Sequence, residues 1–416
     1  MAGSQDDLRR ANLAQVLGLV HTEGPLTRAD ITARLGLNRS TIAGLVAELS
    51  GACLVSEAAS PERRGAGRPS HLVRPELTTA AVAVDLATDH LAVALVGFGG
   101  TLLAVKTRRR RRRDIDPATA RKAVRTLLQE VLGAVDPGIR VVGITASVPG
   151  VVRMTDGLVH EAPNLEWRDV PWGWLLSDLT GHCLPVSVAN DADLGVIAEH
   201  VRGAGAGFSN VLFVTGGRGV GGGFVVGGRP LAGAGGYAGE VGHMVVNPAG
   251  RACGCGRRGC WETEIAEQGL LHGITLVAKD ADAAGAAGAA AEVPVHTAGE
   301  VFAAARRGDP AALAQVDKVA YWLGLGTANL VHLLNPEVVV FGGVLADIFA
   351  AAPQRVSAQL LECLDGPREQ VLLRGSALGK DSVLLGAAEV ALAPLLADPL
   401  SVAKAPEVRR LLPALM

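Results

Sequence analysis

The chain has 416 residues, 49% of them hydrophobic, with a formal net charge of −2. That length predicts two or three domains, and the near-neutral charge gives no guide to partners. No apolar run reaches the roughly 18 residues of a membrane-spanning helix. The N-terminus "MAGSQDDLRR" lacks the pattern of a signal peptide, so a cytoplasmic protein without a membrane partner is expected. Six cysteines in so long a chain do not read as a disulfide framework.

Residues 8–60 predict three helices. Leu13, Val16, Leu17 and Val20 recur at helical spacing and form one apolar face. "GPL" ends that helix, and "TRAD" has the form of a capping box on Thr27 and Asp30. A short helix follows with Ile31 and Leu35 inward. "GLN" turns the chain, and Asn38 is placed to cap a third helix with Ile42, Leu45, Val46 and Leu49 on its buried face. Arg39, Ser40, Thr41 and Gly44 stand near its start and on its free side, with Ala43 and Ala47. Helix, turn, helix is a DNA-reading arrangement. The next segment, "LVSEAASPERRGAGRPSHLVRPE", suits a two-stranded wing with Arg63, Arg64 and Arg68 around a glycine-rich tip. Residues 1–75 hold nine Arg against seven Asp or Glu, and the bases gather in the wing. Turn, free helix face and basic wing together favour DNA binding over a helical cap with a solvated loop.

After Pro75 the texture becomes α/β. "AAVAVDLATDHLAVALVGFGGTLLAVKTR" predicts two or three strands with turns at Thr88-Asp89 and Gly99-Gly100. The run "RRRRRR", 108–113, reads as a solvated loop, since no aromatic residue stands by for base stacking. A helix is expected over 116–134, a buried strand at "RVVGITASV" and strand, loop, helix at "LPVSVANDADLGVIAEH". A glycine hairpin follows at "NVLFVTGGRGVGGGFVVGGRPL". "ADAAGAAGAAA", 281–291, is low in complexity and reads as a surface loop. Helices over 298–334, a strand at "EVVVFGG" and a closing helix at "DSVLLGAAEVALAPLL" complete the chain. Strands alternating with helices and ending in glycine turns imply a cleft at those turns.

The segment "GHMVVNPAGRACGCGRRGCWE", 242–262, carries His243, Cys253, Cys255 and Cys260. A closed set of three Cys and one His suits a structural tetrahedral Zn²⁺. A Cys253–Cys255 disulfide would close a strained small ring. Redox chemistry of free thiolates is the other reading. Cys53, Cys183 and Cys363 are scattered and read as ordinary buried residues.

"AGEVGHMVV" followed by "CGCGRRGCWE" resembles the ROK family of bacterial sugar kinases and repressors. So do "NDADLGVIAE" at 190–199, "GVGGGFVVGGRPLAGAGGYAGE" at 219–240 and "LGKDSVLLGAAEVAL" at 378–392. With the predicted head, the chain is similar to ROK transcriptional regulators of the xylose- and N-acetylglucosamine-repressor type. The resemblance implies an α/β chain: a winged helix-turn-helix, then a two-lobed actin-like ATPase (ribonuclease H-like) domain with sugar between its lobes. The domains would be 1–75 for DNA binding, 76–195 for lobe I and 196–416 for lobe II with the zinc loop. The C-terminal helix is free to return to lobe I. The family's sugar-binding pattern falls on Asn190, Asp191, Glu240, His243 and Glu262, with Asn164 as a further candidate. His243 would then be shared between zinc and sugar. Each of these alone has a plainer reading, such as a helix cap for Asn190 and Asp191; the set together favours a pocket.

The chain departs from the kinases of that family in two places. Their first phosphate segment has the form Asp-x-Gly-x-Thr, whereas "DLATDH", 85–90, puts Ala87 for the first glycine and adds Asp89. Arg218 aligns where the second segment normally has Thr. Asp191 matches the kinase base, but without a phosphoryl donor it is assigned to ligand binding, and no catalytic residue is expected. The expected protein is a sugar- or sugar-phosphate-responsive regulator, dimeric or tetrameric, on a palindromic operator. Sugar would close the cleft and shift the DNA-binding heads. An active sugar kinase with a regulatory head is the main alternative. A zinc sensor and control by a protein partner are two further readings.

Overall fold

The computed structural model describes residues 5–59, 71–110, 116–277 and 292–415. The N-terminal helix α1 (Gln5–Glu23) buries Leu13, Val16, Leu17 and Val20, the face that the spacing predicts. A short strand β1 (Leu26–Thr27) leads to α2 (Arg28–Leu35). The capping box forms: Asp30 N–H donates to Thr27 Oγ1 at 3.1 Å, and Thr27 N–H donates to Asp30 Oδ2 at 3.1 Å. Gly36, at φ 66°, ends α2 in the left-handed region that glycine tolerates. Asn38 Oδ1 accepts from Thr41 N–H at 2.8 Å and starts α3 (Arg39–Gly51). Strands β2 (Val55–Ala59) and β3 (His71–Pro75) pair antiparallel as a wing, with β1 on the other side of β3. The wing tip with Arg63, Arg64 and Arg68 lies outside the described residues, as does the 281–291 stretch.

The body begins with β4 (Thr79–Leu86), β5 (His90–Gly97) and β6 (Thr101–Arg109), followed by α4 (Pro117–Leu132) and β7 (Arg140–Val148). A small antiparallel sheet of β8 (Val151–Arg153), β9 (Leu158–Ala162) and β10 (Trp167–Val170) precedes α5 (Trp172–Leu179). Then β11 (Val186–Asn190) runs straight into α6 (Asp191–Arg202). No loop separates them, because Asn190 itself caps the helix.

The second half contains β12 (Val211–Gly216), β13 (Val220–Val226) and β14 (Arg229–Pro230). Short helices α7 (Trp261–Ile265) and α8 (Glu267–Leu271) follow, then the pair β15 (Thr275–Val277) and β16 (Glu292–Pro294). Helices α9 (Ala298–Arg306) and α10 (Pro310–Leu334) lead to β17 (Val338–Gly343). Next come α11 (Val344–Ala351), α12 (Pro353–Leu360), α13 (Asp365–Gln370) and β18 (Leu372–Gly375). The chain ends with α14 (Ser382–Ala397) and α15 (Val408–Leu411).

The two main sheets share one plan. Their orders are β11-β7-β4-β5-β6 and β14-β13-β12-β17-β18. In each, three strands run parallel and two more add antiparallel through hairpins. This repeated plan is that of the actin-like fold. Every residue of β4 is buried, as a helix-covered parallel strand requires. Residues 1–194 and 383–416 make one compact unit, and 195–382 the other. The C-terminus continues past the expected closing helix: Val408, Leu411 and Leu415 enter the first unit's core. Among the described residues no helix is long and apolar enough to cross a membrane.

Two expectations need correction. Cys53 and Cys183 are exposed, and only Cys363 of the three scattered cysteines is buried. Cys53 sits in the turn after α3 at φ 57°. The arginine run is also more than a solvated loop where it is described. Arg108 and Arg109 belong to the edge strand β6, and Arg110 Nη1 donates to the Ala87 carbonyl at 2.7 Å.

Candidate functional site

The cysteine loop is a tight knuckle in the second unit. Single bridges pair Val245 with Cys260 and Ala252 with Arg258. Gly259 has φ 69°, and a Cβ there would stand 1.6 Å from the Asn247 carbonyl oxygen, so only glycine fits. The ligand atoms of His243, Cys253, Cys255 and Cys260 all lie within 4.8 Å of one another. Cys255 Sγ and Cys260 Sγ are 3.6 Å apart, and Cys253 Sγ is 3.6 Å from His243 Nδ1. A disulfide would need about 2.05 Å. Tetrahedral bonds of about 2.3 Å to sulfur and 2.05 Å to nitrogen place ligand atoms about 3.6–3.8 Å apart. The donor set therefore fits a tetrahedral metal ion. Burial pushes the thiols of Cys253 and Cys260 up, a cost that a cation among them offsets. The Arg257 backbone N–H lowers the exposed Cys255 thiol to about 6.

This knuckle orients three candidate ligand-binding side chains. His243 Nδ1 lies 3.6 Å from Glu262 Oε1, and His243 Nε2 lies 3.8 Å from Glu240 Oε2. The Cys253 thiol donates to Glu262 Oε1 at 2.8 Å. Glu240 is partly exposed, and burial of its carboxyl raises its pKa against the pull of His243. Glu262 is the second residue of α7, whose first, Trp261, is buried and donates Nε1–H to the Trp322 carbonyl at 2.7 Å. Gly326 of α10 makes room for that indole; a Cβ there would stand 2.1 Å from its Cε2.

The first unit holds the remaining sugar candidates. Asn164 is exposed in the turn Pro163–Leu165 after β9. Asn190 ends β11, donates Nδ2–H to the Gly150 carbonyl at 3.0 Å and accepts from Ala192 N–H at 2.8 Å. Asp191 opens α6 and accepts from the same N–H at 3.0 Å. The helix-capping role is thus real for both residues. It leaves one amide hydrogen of Asn190 outside these three bonds.

The "DLATDH" turn carries its own charge network. Both nitrogens of His90 face carboxylates, Nε2 to Asp85 at 3.2 Å and Nδ1 to Asp89 at 2.8 Å. Hydrogen bonding to Asp85, then to Asp89, raises the His90 pKa to about 9. Buried Asp85 also accepts from Ser147 Oγ at 2.6 Å. Arg110 N–H closes the far side onto the Asp89 carbonyl at 2.8 Å.

On the head, Arg39, Ser40 and Gly44 are exposed and Thr41 is half-buried. Ser40 Oγ donates to Asn38 Oδ1 at 2.7 Å, fixing the first turn of α3.

The model of the ROK family matches residues 81–393. The chain belongs to the ROK family. A glucokinase of Halalkalibacterium halodurans is 42% identical over 212 residues, which is 49% of this chain and 61% of the enzyme, under two thirds of its length. The xylose repressor of Bacillus subtilis is 24% identical over 93% of this chain and 96% of its own. Among solved structures, a ROK family transcriptional regulator described as a homologue of the E. coli MLC protein superposes with a TM-score of 0.74. It is 26% identical and covers 96% of this chain and 99% of its own, so likeness to this ROK regulator extends over the N-terminal head.

Three charged groups escaped sequence reasoning. The carboxylate of fully buried Glu199 on α6 takes N–H groups from Ala204, Ala377 and Leu378 and the hydroxyl of Ser376. His21 of α1 is buried, with Nε2 2.9 Å from Glu389 Oε2 of α14, while the Gly99 N–H donates to its Nδ1 at 3.1 Å. His90 is the third. No periodicity marks such residues; each looks like an ordinary polar residue within an apolar run.

Proposed function

We propose that this ROK chain is a sugar-responsive, DNA-binding transcriptional repressor with residues 1–75 as its winged helix-turn-helix head. The observation that carries this reading is the likeness to a ROK regulator over 96% of the chain, head included. The xylose repressor of Bacillus subtilis, matched over 93% of this chain, supports the same reading. On it, the exposed start of α3 reads the major groove through Arg39, Ser40, Thr41 and Gly44. Arg63, Arg64 and Arg68 of the wing add phosphate and minor-groove contacts. A homodimer or homotetramer would present paired heads to a palindromic operator.

The sugar-binding residues on this reading are Asn164, Asn190 and Asp191 in the first unit and Glu240, His243 and Glu262 in the second. Sugar hydroxyls both donate and accept, so carboxylates, amides and an imidazole suit them. A structural Zn²⁺ would be held by His243, Cys253, Cys255 and Cys260, and it would supply folding energy and a fixed orientation for His243 and Glu262. We infer no phosphoryl transfer. The "DLATDH" turn holds His90 between Asp85 and Asp89, and the second carboxylate leaves negative charge where a phosphate loop offers glycine N–H groups.

Gel shifts with the chain's own upstream DNA and a sugar panel test the regulator. Release of DNA by one sugar is expected, and operator binding indifferent to every sugar would sink the sensing role. Sugar-dependent ADP release by the purified protein would instead establish a kinase.

A further inference from the structure

We infer that α14 carries the sugar signal to the head, with His21 and Glu389 as the residues that couple the two. This rests on the proposed sugar role of Asp191 and the proposed DNA role of the head, and it adds the route between them. Every contact it uses lies within the first unit, residues 1–194 and 383–416.

The route begins at Asp191, the first residue of α6. One helical turn on, the Leu194 carbonyl faces Gly386 of α14, where a Cβ would stand 1.8 Å from that oxygen. The two helices therefore touch backbone to backbone, and no side chain lies between them to absorb a shift. Glu389 follows Gly386 by three residues, about 4.5 Å along α14 and on a neighbouring part of the same face. Its Oε2 lies 2.9 Å from Nε2 of His21, and the two side chains are 8% and 0% exposed. His21 stands in the last turn of α1, and α1 packs on α2, α3 and β3, so it moves with the head. The same helix touches the turn Pro399–Lys404 that follows α14.

Two features make this a coupling and not only a brace. The chain leaves the first unit at Leu194, within α6, and returns to it at Val383, within α14. These two helices are thus the covalent links through which either unit acts on the other. His21 is also a fork. Its Nδ1 accepts from Gly99 N–H at 3.1 Å, and its ring stands edge-on to Phe98 at 5.4 Å, both in the turn Phe98–Gly100 between β5 and β6. One nitrogen therefore joins α1 to that turn and the other joins it to α14. A displacement of α14 against the turn cannot keep both bonds at their lengths, so α1 must follow or release one of them. Stretched bonds between buried groups are costly, which favours two discrete placements of the head over a gradual drift.

The test is the factor by which sugar weakens DNA binding, read by fluorescence anisotropy on the full zinc-loaded chain with its own upstream DNA. Xylose, glucose and N-acetylglucosamine are the probes, and the one with the largest factor on the wild type is carried forward. Glu389→Ala and His21→Ala should each cut that factor about fivefold or more, and the double variant should lose no more than either alone. Calorimetry should find sugar affinity of the DNA-free chain within about twofold of the wild type, since neither residue belongs to the proposed sugar set. Glu389→Gln, whose amide oxygen still accepts from His21 Nε2–H, should keep most of the factor. Variants that bind DNA more weakly by the same amount with and without sugar would show a brace. That result, or a wild-type factor in Glu389→Ala, overturns the inference and leaves the sugar reading standing. If no probe changes the DNA affinity of the wild type, the sugar reading falls and this inference falls with it.

Discussion

At the scale of single residues, the cysteine knuckle makes the sharpest demand. Its four donors lie within 4.8 Å of one another, two of the pairs at the 3.6 Å that a tetrahedral ion requires, and Cys255 is the exposed member with the lowest thiol pKa. Cys255→Ser should reduce zinc from about one ion per chain to a small fraction, read by metal analysis of purified protein. It should also lower the unfolding temperature and weaken sugar binding, because His243 and Glu262 lose their anchor. A variant that keeps both its zinc and its sugar affinity would refute the shared-histidine arrangement. His90 offers a pH test. Its pKa is raised to about 9 from an ordinary value near 6.5, so its stabilisation is complete below 6.5 and lost as pH rises through 9. The side chain is 34% exposed, so solvent screening limits the effect to about 1 kcal/mol. Urea titrations of the wild type should show that loss between pH 6.5 and 9.5, and His90→Gln should flatten it. The knuckle was legible because metal geometry dictates residue type and spacing together. The Asp85–His90–Asp89 network was not, because a turn sequence does not reveal which carboxylate a histidine faces.

At the scale of elements, local rules carried far. The capping box at Thr27, the Asn38 cap and the apolar face of α1 all form as their spacing requires. Register between distant elements was not legible, since it depends on close approaches that a sequence states only as isolated glycines. Gly326 shows the point. It lets α10 meet Trp261, and Trp261 starts the helix that bears Glu262. Gly326→Ala should destabilise the second unit by about 1–3 kcal/mol through overpacking and displace Glu262. Denaturant unfolding followed by tryptophan fluorescence would read the first effect, and sugar titration the second. The pairing of α1 with α14 is a comparable case. Gly99 N–H donates to His21 Nδ1, so the ring's proton sits on Nε2 and points at Glu389. His21→Ala leaves the nearly buried Glu389 carboxylate without that donor, a loss of about 1–3 kcal/mol. Hydrogen exchange should then rise in α1, and unchanged protection there would show that the head is held by other contacts.

At the scale of the whole molecule, one chain joins an N-terminal helical head with a small three-stranded sheet to a body whose two sheets repeat a single plan. The alternation of strands, helices and glycine turns made the α/β class readable. The repeat itself was not, because it lives in strand pairing and not in sequence similarity. The body's likeness to a glucokinase and the chain's fuller likeness to a repressor pull the function in different directions, and the head decides between them. That decision has a direct electrostatic test. Arg39 is exposed at the start of α3, where on the proposed reading it would meet either a base edge or a phosphate. If it meets a phosphate, Arg39→Ala should weaken specific and non-specific DNA alike and lower the slope of log affinity against log salt by about 1. If it meets a guanine edge, the variant should lose about 1–3 kcal/mol on the operator alone and relax one position per half-site. Fluorescence anisotropy over a salt series, on operator and scrambled DNA, separates the two contacts. Identical binding curves for Arg39→Ala and the wild type on both DNAs would remove α3 from the interface, and with it the reading of this head as the DNA-binding element.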